Sequence, residues 1–248
     1  MITILGLRGI PLVREGDDLS QLILAAAQKQ QVTLENGDVL IITQKIVSKA
    51  EGRTRKLAEV IPSEFAKTIA ASTNHDSRHV ELILQESLRA IRMRDGHLIM
   101  ETKHGFVCAN SGVDRSNVEG DEEVTLLPID PDLSAERIRK DIGKRLGVDV
   151  VVIVTDTFGR AWRTGQVNFA IGLSGMRPEK DYRGSEDMFG YTLTVTKIAV
   201  ADELAAAGEL VMNKTDQVPV AVIKGYRYPQ GEGTAKELVR PIESDLFR

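Results

Sequence analysis

Apolar runs and polar stretches alternate along the chain, and each run has a period of its own. In DDLSQLILAAAQKQ, Leu19, Leu22, Ile23 and Ala26 recur at the three- and four-residue spacing of a helix, with Asp17 or Asp18 as its cap. From Asp38 to Arg53, DVLIITQKIVSKAEGR opens on a dense β-branched block, which predicts a buried strand that Thr43, Gln44 and Lys45 interrupt. A second helix is predicted from Asp76 through SRHVELILQESLRAI, with Val80, Ile83, Leu84 and Leu88 facing inward. HLIME and GFVCA form a strand pair around the turn at Lys103, His104 and Gly105. DPDLSAERIRKDIGKRLG is the clearest helix, with Ser134 as N-cap, Ile138 and Ile142 four apart, and Gly147 as its stop. Val150 to Val154 is apolar on both faces and predicts a central strand covered on both sides, with Asp156 and Thr157 following it. A third long helix is expected in TVTKIAVADELAAAGELVM, and a strand in PVAVIKG. Between Arg160 and Tyr191 the period fades, as in a functional or mobile segment.

Helices and strands alternate unevenly, so the class is α+β. No linker, repeat or low-complexity tract divides residues 1–248, which read as one domain with room for two lobes. The composition is that of an ordinary globular chain: 42% hydrophobic, 27% charged, net charge -4. No basic excess points to nucleic acid. No run approaches the roughly 20 apolar residues of a membrane span, and the N-terminus lacks the features of a signal peptide. The expected location is the cytoplasm. The single cysteine, Cys108, rules out an intrachain disulfide, and its apolar setting favours an inert thiol over a nucleophile. His75 and His79 have the i, i+4 spacing of a metal pair, but no third ligand stands near them in sequence.

Candidate chemistry gathers in three polar clusters. Lys45, beside Thr43 and Gln44, must reach solvent or meet an anion, because an unpaired buried ammonium is costly. CANSGVDRSN, residues 108–117, carries more polar groups than a turn requires; Asp114 and Asn117 suit a ligand, although an Asx-turn also accounts for them. In TDTFGRAWRTG, Asp156 and Thr157 offer oxygen ligands for a magnesium- or manganese-like ion, and Arg160 and Arg163 offer planar forks for phosphate or carboxylate. A capped turn with exposed arginines is the plainer alternative, which Trp162 between them argues against. There is no P-loop motif, no dinucleotide fingerprint after a strand and no nucleophile elbow.

These segments, with GLRGIPLVREGDDL, LLPIDPDLSAERIR and DYRGSEDMFGYTLTVTKIAVADELAAAGELVM, resemble the coenzyme F420:L-glutamate ligase family almost from end to end and in one order. The resemblance implies a GTP-dependent ligase that adds L-glutamate to a deazaflavin F420 precursor through an acyl phosphate. It implies a divalent cation, Mg2+ or Mn2+, with K+ as an optional monovalent partner. It also implies a mixed, largely antiparallel sheet with packed helices, a nucleotide groove that is not a P-loop, and an intertwined homodimer without the nitroreductase-like C-terminal domain of some relatives. By motif, Asp114 and Asp156 correspond to metal-binding carboxylates, with Thr157 beside a second ion. Pro11, Leu12, Thr43, Gln44, Lys45 and Asn117 correspond to the GTP-contacting set. MNKTDQVPV resembles a further nucleotide- or metal-contacting loop, within which Asp216 is the candidate ligand. Asp114, Asp156, Arg160 and Arg163 are the candidate catalytic residues, the arginines as a clamp for the acceptor's anionic groups. A nucleotide-binding module without turnover and a metal-dependent phosphohydrolase are the alternatives.

Overall fold

The computed structural model describes residues 1–116 and 122–245, so Asn117 lies outside the described residues. In chain order the elements are β1 (Thr3–Leu7), α1 (Leu19–Lys29), β2 (Val39–Thr43), α2 (Gln44–Ala50), β3 (Thr54–Lys56), α3 (Glu64–Thr73), α4 (Ser77–Gln85), β4 (Ser87–Arg94) and β5 (His97–Thr102). They continue with β6 (Val107–Ala109), β7 (Glu123–Thr125), α5 (Pro131–Leu146), β8 (Val151–Arg160), β9 (Arg163–Ser174), β10 (Lys180–Asp181), β11 (Lys197–Ile198), α6 (Val200–Met212) and β12 (Val220–Lys224).

The densest β-branched runs build the main sheet, whose five strands are ordered β1-β12-β2-β8-β9. Only β2 and β8 pair in parallel; every other pairing in the sheet is antiparallel. Side chains alternate across each strand. Leu40, Ile42, Val152 and Val154 therefore face one way, onto Ile23 of α1 and Ile138 and Ile142 of α5. Val39, Ile41, Val151 and Ile153 face the other way, onto Val200, Ala201, Leu204 and Ala205 of α6. Gly208 lets α6 approach, since a Cβ there would stand 2.8 Å from Ile41. A third apolar cluster, with Leu57, Ile69, Val80, Ile83, Leu98 and Val124, belongs to a smaller unit of α3, α4 and two small sheets, β3-β7 and β4-β5-β6. This unit is inserted in the crossover between the parallel strands. Its neck is pinned where Leu126 N–H donates to the Arg53 carbonyl at 2.8 Å and Arg53 Nε donates to the Leu127 carbonyl at 2.9 Å. The α+β class and the mostly antiparallel sheets agree with the expectation. No described helix is long and apolar enough to cross a membrane.

Several elements differ from their sequence reading. The strand at Val39 stops at Thr43, and Gln44–Ala50 is helical, so Lys45 lies in a first helical turn instead of interrupting a strand. The helix capped by Asp76 ends at Gln85. Ser87–Arg94 is a strand paired with β5, and Leu88 on it is exposed. The cap of α5 is Asp130, whose carboxylate accepts from Leu133 N–H at 3.0 Å; Pro131 opens the helix and buried Ser134 lies within it. The last long helix begins only at Val200. Residues Arg163–Ser174, read as irregular, form the longest strand of the sheet.

Candidate functional site

The directions of the strands bring the site together. β1 and β2 are both antiparallel to β12, and β8 is parallel to β2, so β1, β2 and β8 all point their carboxyl ends toward one edge. In open sheets with parallel strands, ligands collect beyond such ends. Pro11 and Leu12 lie in the loop after β1, exposed, and Gly16 N–H ties that loop to the Ala50 carbonyl of α2 at 2.9 Å. Thr43, Gln44 and Lys45 form the junction of β2 with α2. The loop after α6 reaches the same edge, where Thr43 N–H donates to the Pro219 carbonyl at 3.0 Å.

Asp114 comes from the smaller unit. A turn of three left-handed residues, Asn110, Ser111 and Gly112, precedes it. Its backbone N–H and carbonyl pair with those of Thr125 at 2.9 and 2.8 Å. Ser116 N–H donates to Asp114 Oδ1 at 2.7 Å, so the Asx-turn reading is realised. The same carboxylate also accepts from Lys45 Nζ at 2.5 Å through Oδ2, and that ammonium donates to the Ser116 carbonyl at 2.7 Å and to its hydroxyl. Burial opposes ionisation of Asp114, but Lys45 and Ser116 outweigh it and hold the carboxyl below its usual range. Beside Lys45, Gln44 is buried. Its Oε1 accepts from Ser48 Oγ at 2.8 Å, while its Nε2 has no acceptor among the described residues.

Asp156 lies within β8 instead of beyond it, because the β8–β9 hairpin runs on past the core with Asp156 opposite Phe169 and Thr157 opposite Asn168. Asp156 keeps some surface as a residue, yet its carboxyl group is enclosed. Burial pushes that carboxyl up to about 7; the Thr157 N–H, Lys45 and Lys214 oppose the rise, and the charge of Asp114 adds to it. Burial, then the charge of Asp156, pushes the Cys108 thiol up to about 12, which leaves it protonated and unreactive.

On the other face of the hairpin, Thr157 Oγ1 donates to Asn168 Oδ1 at 2.5 Å and Asn168 Nδ2 donates to Glu209 Oε2 at 2.9 Å. Lys214 Nζ lies 3.1 Å from Glu209 Oε1 and donates to Thr157 Oγ1 at 2.6 Å. Lys214, Asn168 and Glu209 were not singled out in sequence as site residues, because Lys214 is 57 positions from Thr157 and Glu209 is 41 from Asn168. Ser116 lies within the cluster at residues 108–117, beside Asp114, and that local signal could have found it. Asp216, the candidate ligand of the same loop, is exposed and bonds locally with Asn213 Nδ2 at 3.0 Å.

Arg160 and Arg163 sit opposite each other at the hairpin tip, around a left-handed Trp162. Four residues of strand put Arg160 roughly 13 Å from Asp156 along the chain direction. They therefore do not flank the carboxylates as a short loop would have allowed. His79 is buried and its Nε2 meets the Val113 carbonyl at 3.4 Å, while His75 precedes the helix. No group of three or more metal-ligating His, Cys, Asp or Glu side chains occurs among the described residues.

Residues 8–225 match the model of the family described as F420-0:Gamma-glutamyl ligase. The chain belongs to that family. It is 45% identical to the coenzyme F420:L-glutamate ligase of Methanothermobacter thermautotrophicus, over 100% of this chain and 99% of that protein. It is 42% identical to the protein of the same name from Archaeoglobus fulgidus, over 100% of this chain and 96% of that one. The corresponding figures for Methanocaldococcus jannaschii are 40%, 100% and 97%.

Within this F420-0:gamma-glutamyl ligase fold, the two cation positions implied by resemblance fare differently. Asp114 and Asp156 fit a divalent ion once Lys45 moves from Asp114 to a phosphate oxygen: two hard oxygen donors, one of them enclosed and short of positive charge, would take such a cation with water or phosphate completing its shell. Thr157 does not fit a second one, because the Lys214 ammonium already lies on its hydroxyl.

Proposed function

We propose that this protein joins the amine of L-glutamate to a carboxylate of a deazaflavin F420 precursor, with GTP as the energy source. The observation that carries the reading is the enclosed Asp156 carboxyl beside Asp114 and Lys45, at the sheet edge where the expected nucleotide residues converge. The unpaired Gln44 Nε2 supports it, since a buried donor without an acceptor costs about 1–3 kcal/mol until a ligand supplies one.

The chemistry runs in two transfers. An acceptor carboxylate oxygen attacks the γ-phosphorus of GTP, the bond to the β–γ bridging oxygen breaks, and GDP leaves. The glutamate nitrogen then attacks the acyl carbon, phosphate departs with the acyl oxygen, and the nitrogen loses a proton to give the amide. Asp114 and Asp156 would hold a Mg2+ or Mn2+ ion, which neutralises charge on phosphate oxygens. Lys45 serves as a point charge that exchanges Asp114 for a phosphate oxygen as the nucleotide enters. Gln44 and the loop carrying Pro11 and Leu12 hold the nucleotide. Arg160 and Arg163 meet the acceptor's anionic groups from the hairpin tip.

Two copies form the working unit in this reading. Support comes from the segment between β10 and β11, where Met188, Phe189, Tyr191 and Val195 are 88%, 87%, 64% and 83% exposed. Apolar side chains gathered in this way mark an association surface. The cytoplasm is the proposed location.

Incubating the protein with the deazaflavin acceptor, glutamate and either GTP or ATP tests the function. The expected result is an acceptor heavier by glutamyl residues, formed together with phosphate and faster with GTP. Phosphate release independent of glutamate, with no amide, would overturn the ligase reading.

A further inference from the structure

Thr157, Asn168, Glu209 and Lys214 close a ring of hydrogen bonds. The Thr157 hydroxyl donates to Asn168, the Asn168 amide donates to Glu209, and Lys214 donates to Glu209 and back to Thr157. Lys214 Nζ also lies 3.5 Å from Asn168 Oδ1. Each polar group in the ring has a partner of the matching kind. A carboxylate can only accept and an ammonium can only donate, which fixes the Asn168 amide with its nitrogen toward Glu209. Asn168 is 3% exposed, so the ring is anchored in the protein, whereas the Lys214 side chain remains 57% exposed.

An ammonium held on a hydroxyl oxygen and a divalent ion bound to that same oxygen would stand only a few ångströms apart, and the repulsion between them is strong. We propose that the Lys214 ammonium replaces a second divalent cation at Thr157, so that each chain binds one divalent ion, at Asp114 and Asp156, and uses Lys214 as its other positive charge toward the phosphate oxygens. The exposed side of Lys214 faces an arriving anion, while Glu209 and Asn168 hold its ammonium beside Thr157 of β8. The ammonium also favours the charged form of Asp156, which places it within electrostatic reach of that carboxylate. Its role in the reaction rests on the ligase reading above; the ion count does not.

The test is a Mn2+ titration of the full chain at pH 8 without nucleotide, read as free Mn2+ by electron paramagnetic resonance. The wild type should bind one ion per chain. Lys214→Glu, which puts an acceptor where the donor was, should bind two. Lys214→Met should keep one ion and raise the KM for GTP about tenfold, with its melting temperature recorded as a check on folding. A wild-type count of two or of zero overturns the proposal, as does a folded Lys214→Glu that still binds one. An unchanged KM in Lys214→Met removes the part played toward phosphate. Glutamate ligation is assayed on the same wild-type sample: a missing amide product sinks the ligase reading and leaves the ion count to be judged by itself.

Discussion

Asp114 and Asp156 face the same edge of the sheet with opposite electrostatic histories. Asp114, brought by the smaller unit, arrives with its own cation: Lys45 and Ser116 hold it ionised below the usual carboxylate range. Asp156, built into the main sheet, is enclosed with less compensation and is pushed up to about 7. The pair is thus asymmetric before any ligand binds, with one carboxylate satisfied and the other short of positive charge. The unsatisfied one marks where an external cation gains most, since burial and the neighbouring charge destabilise the ionised form that an ion would stabilise.

The sharpest way to break this asymmetry is Asp156→Asn. Ligase turnover should fall at least a hundredfold, about 3 kcal/mol of lost electrostatic stabilisation. Without divalent ions at pH 8, however, the variant should be more stable than the wild type. A carboxyl raised from 3.8 to about 7 is easier to keep protonated in the fold, so wild-type stability falls as pH rises between those values and is flat above. The full difference is on the order of 4 kcal/mol. Urea melts at pH 4 and pH 8 in the presence of a chelator check it; equal stability of the two proteins at pH 8 would contradict the raised carboxyl.

Lys45→Met makes Asp114 resemble Asp156. GTP affinity should drop about tenfold to a hundredfold, the worth of one charge-assisted contact of roughly 1.5–3 kcal/mol. Divalent-ion affinity should rise at the same time, because a competing cation has gone. Calorimetric titration of each ligand separates the two effects, and a parallel loss of both would return Lys45 to a structural role.

The pH dependence of ion binding sharpens the comparison without mutation. Protons compete for Asp156 below about 7, whereas Asp114 stays ionised. Mn2+ affinity should therefore fall about tenfold from pH 8 to pH 6, as one proton is displaced per ion. A flat profile would mean that Asp156 does not ligate.

The smallest effect is expected at the hairpin tip. Arg163→Ala should raise the acceptor KM a few-fold, about 1 kcal/mol, and leave GTP saturation unchanged, because the tip lies well beyond Asp156 along the hairpin. Separate saturation curves decide it.

The main sheet was legible because burial on both faces writes continuous β-branched runs, as in Val39–Ile42 and Val150–Val154. The helix after Thr43 was hidden because the apolar Ile46 and Val47 continue the preceding run, and no side chain caps its start. Ser87–Arg94 has residues that suit a helix, and tertiary pairing with β5 overrode them. A local signal was present there: Asp95-Gly96, both with positive φ, is the pairing that tight hairpins favour. The polar clusters around Asp114, Lys45 and Asp156 were visible as clusters. Their assembly was not, since Lys45 and Asp114 are 69 positions apart and Thr157 and Lys214 are 57 apart. Resemblance supplied their order, and strand direction explains why they meet.

The parallel pairing of β2 with β8 also dictates the sequence of assembly during folding. Everything from Gln44 to Val150 must be looped out before these strands can meet, and closing a long loop is slow. The neck at Arg53, Leu126 and Leu127 divides that journey in two. Once it closes, the smaller unit is a stapled loop, and only α2 and α5 remain to be gathered before the sheet zips. Asp114 and Asp156 come from opposite sides of that division, so their meeting belongs to the final stage. A half-folded chain would have its apolar clusters before it had a site, and recovery of activity should trail recovery of helical signal in refolding.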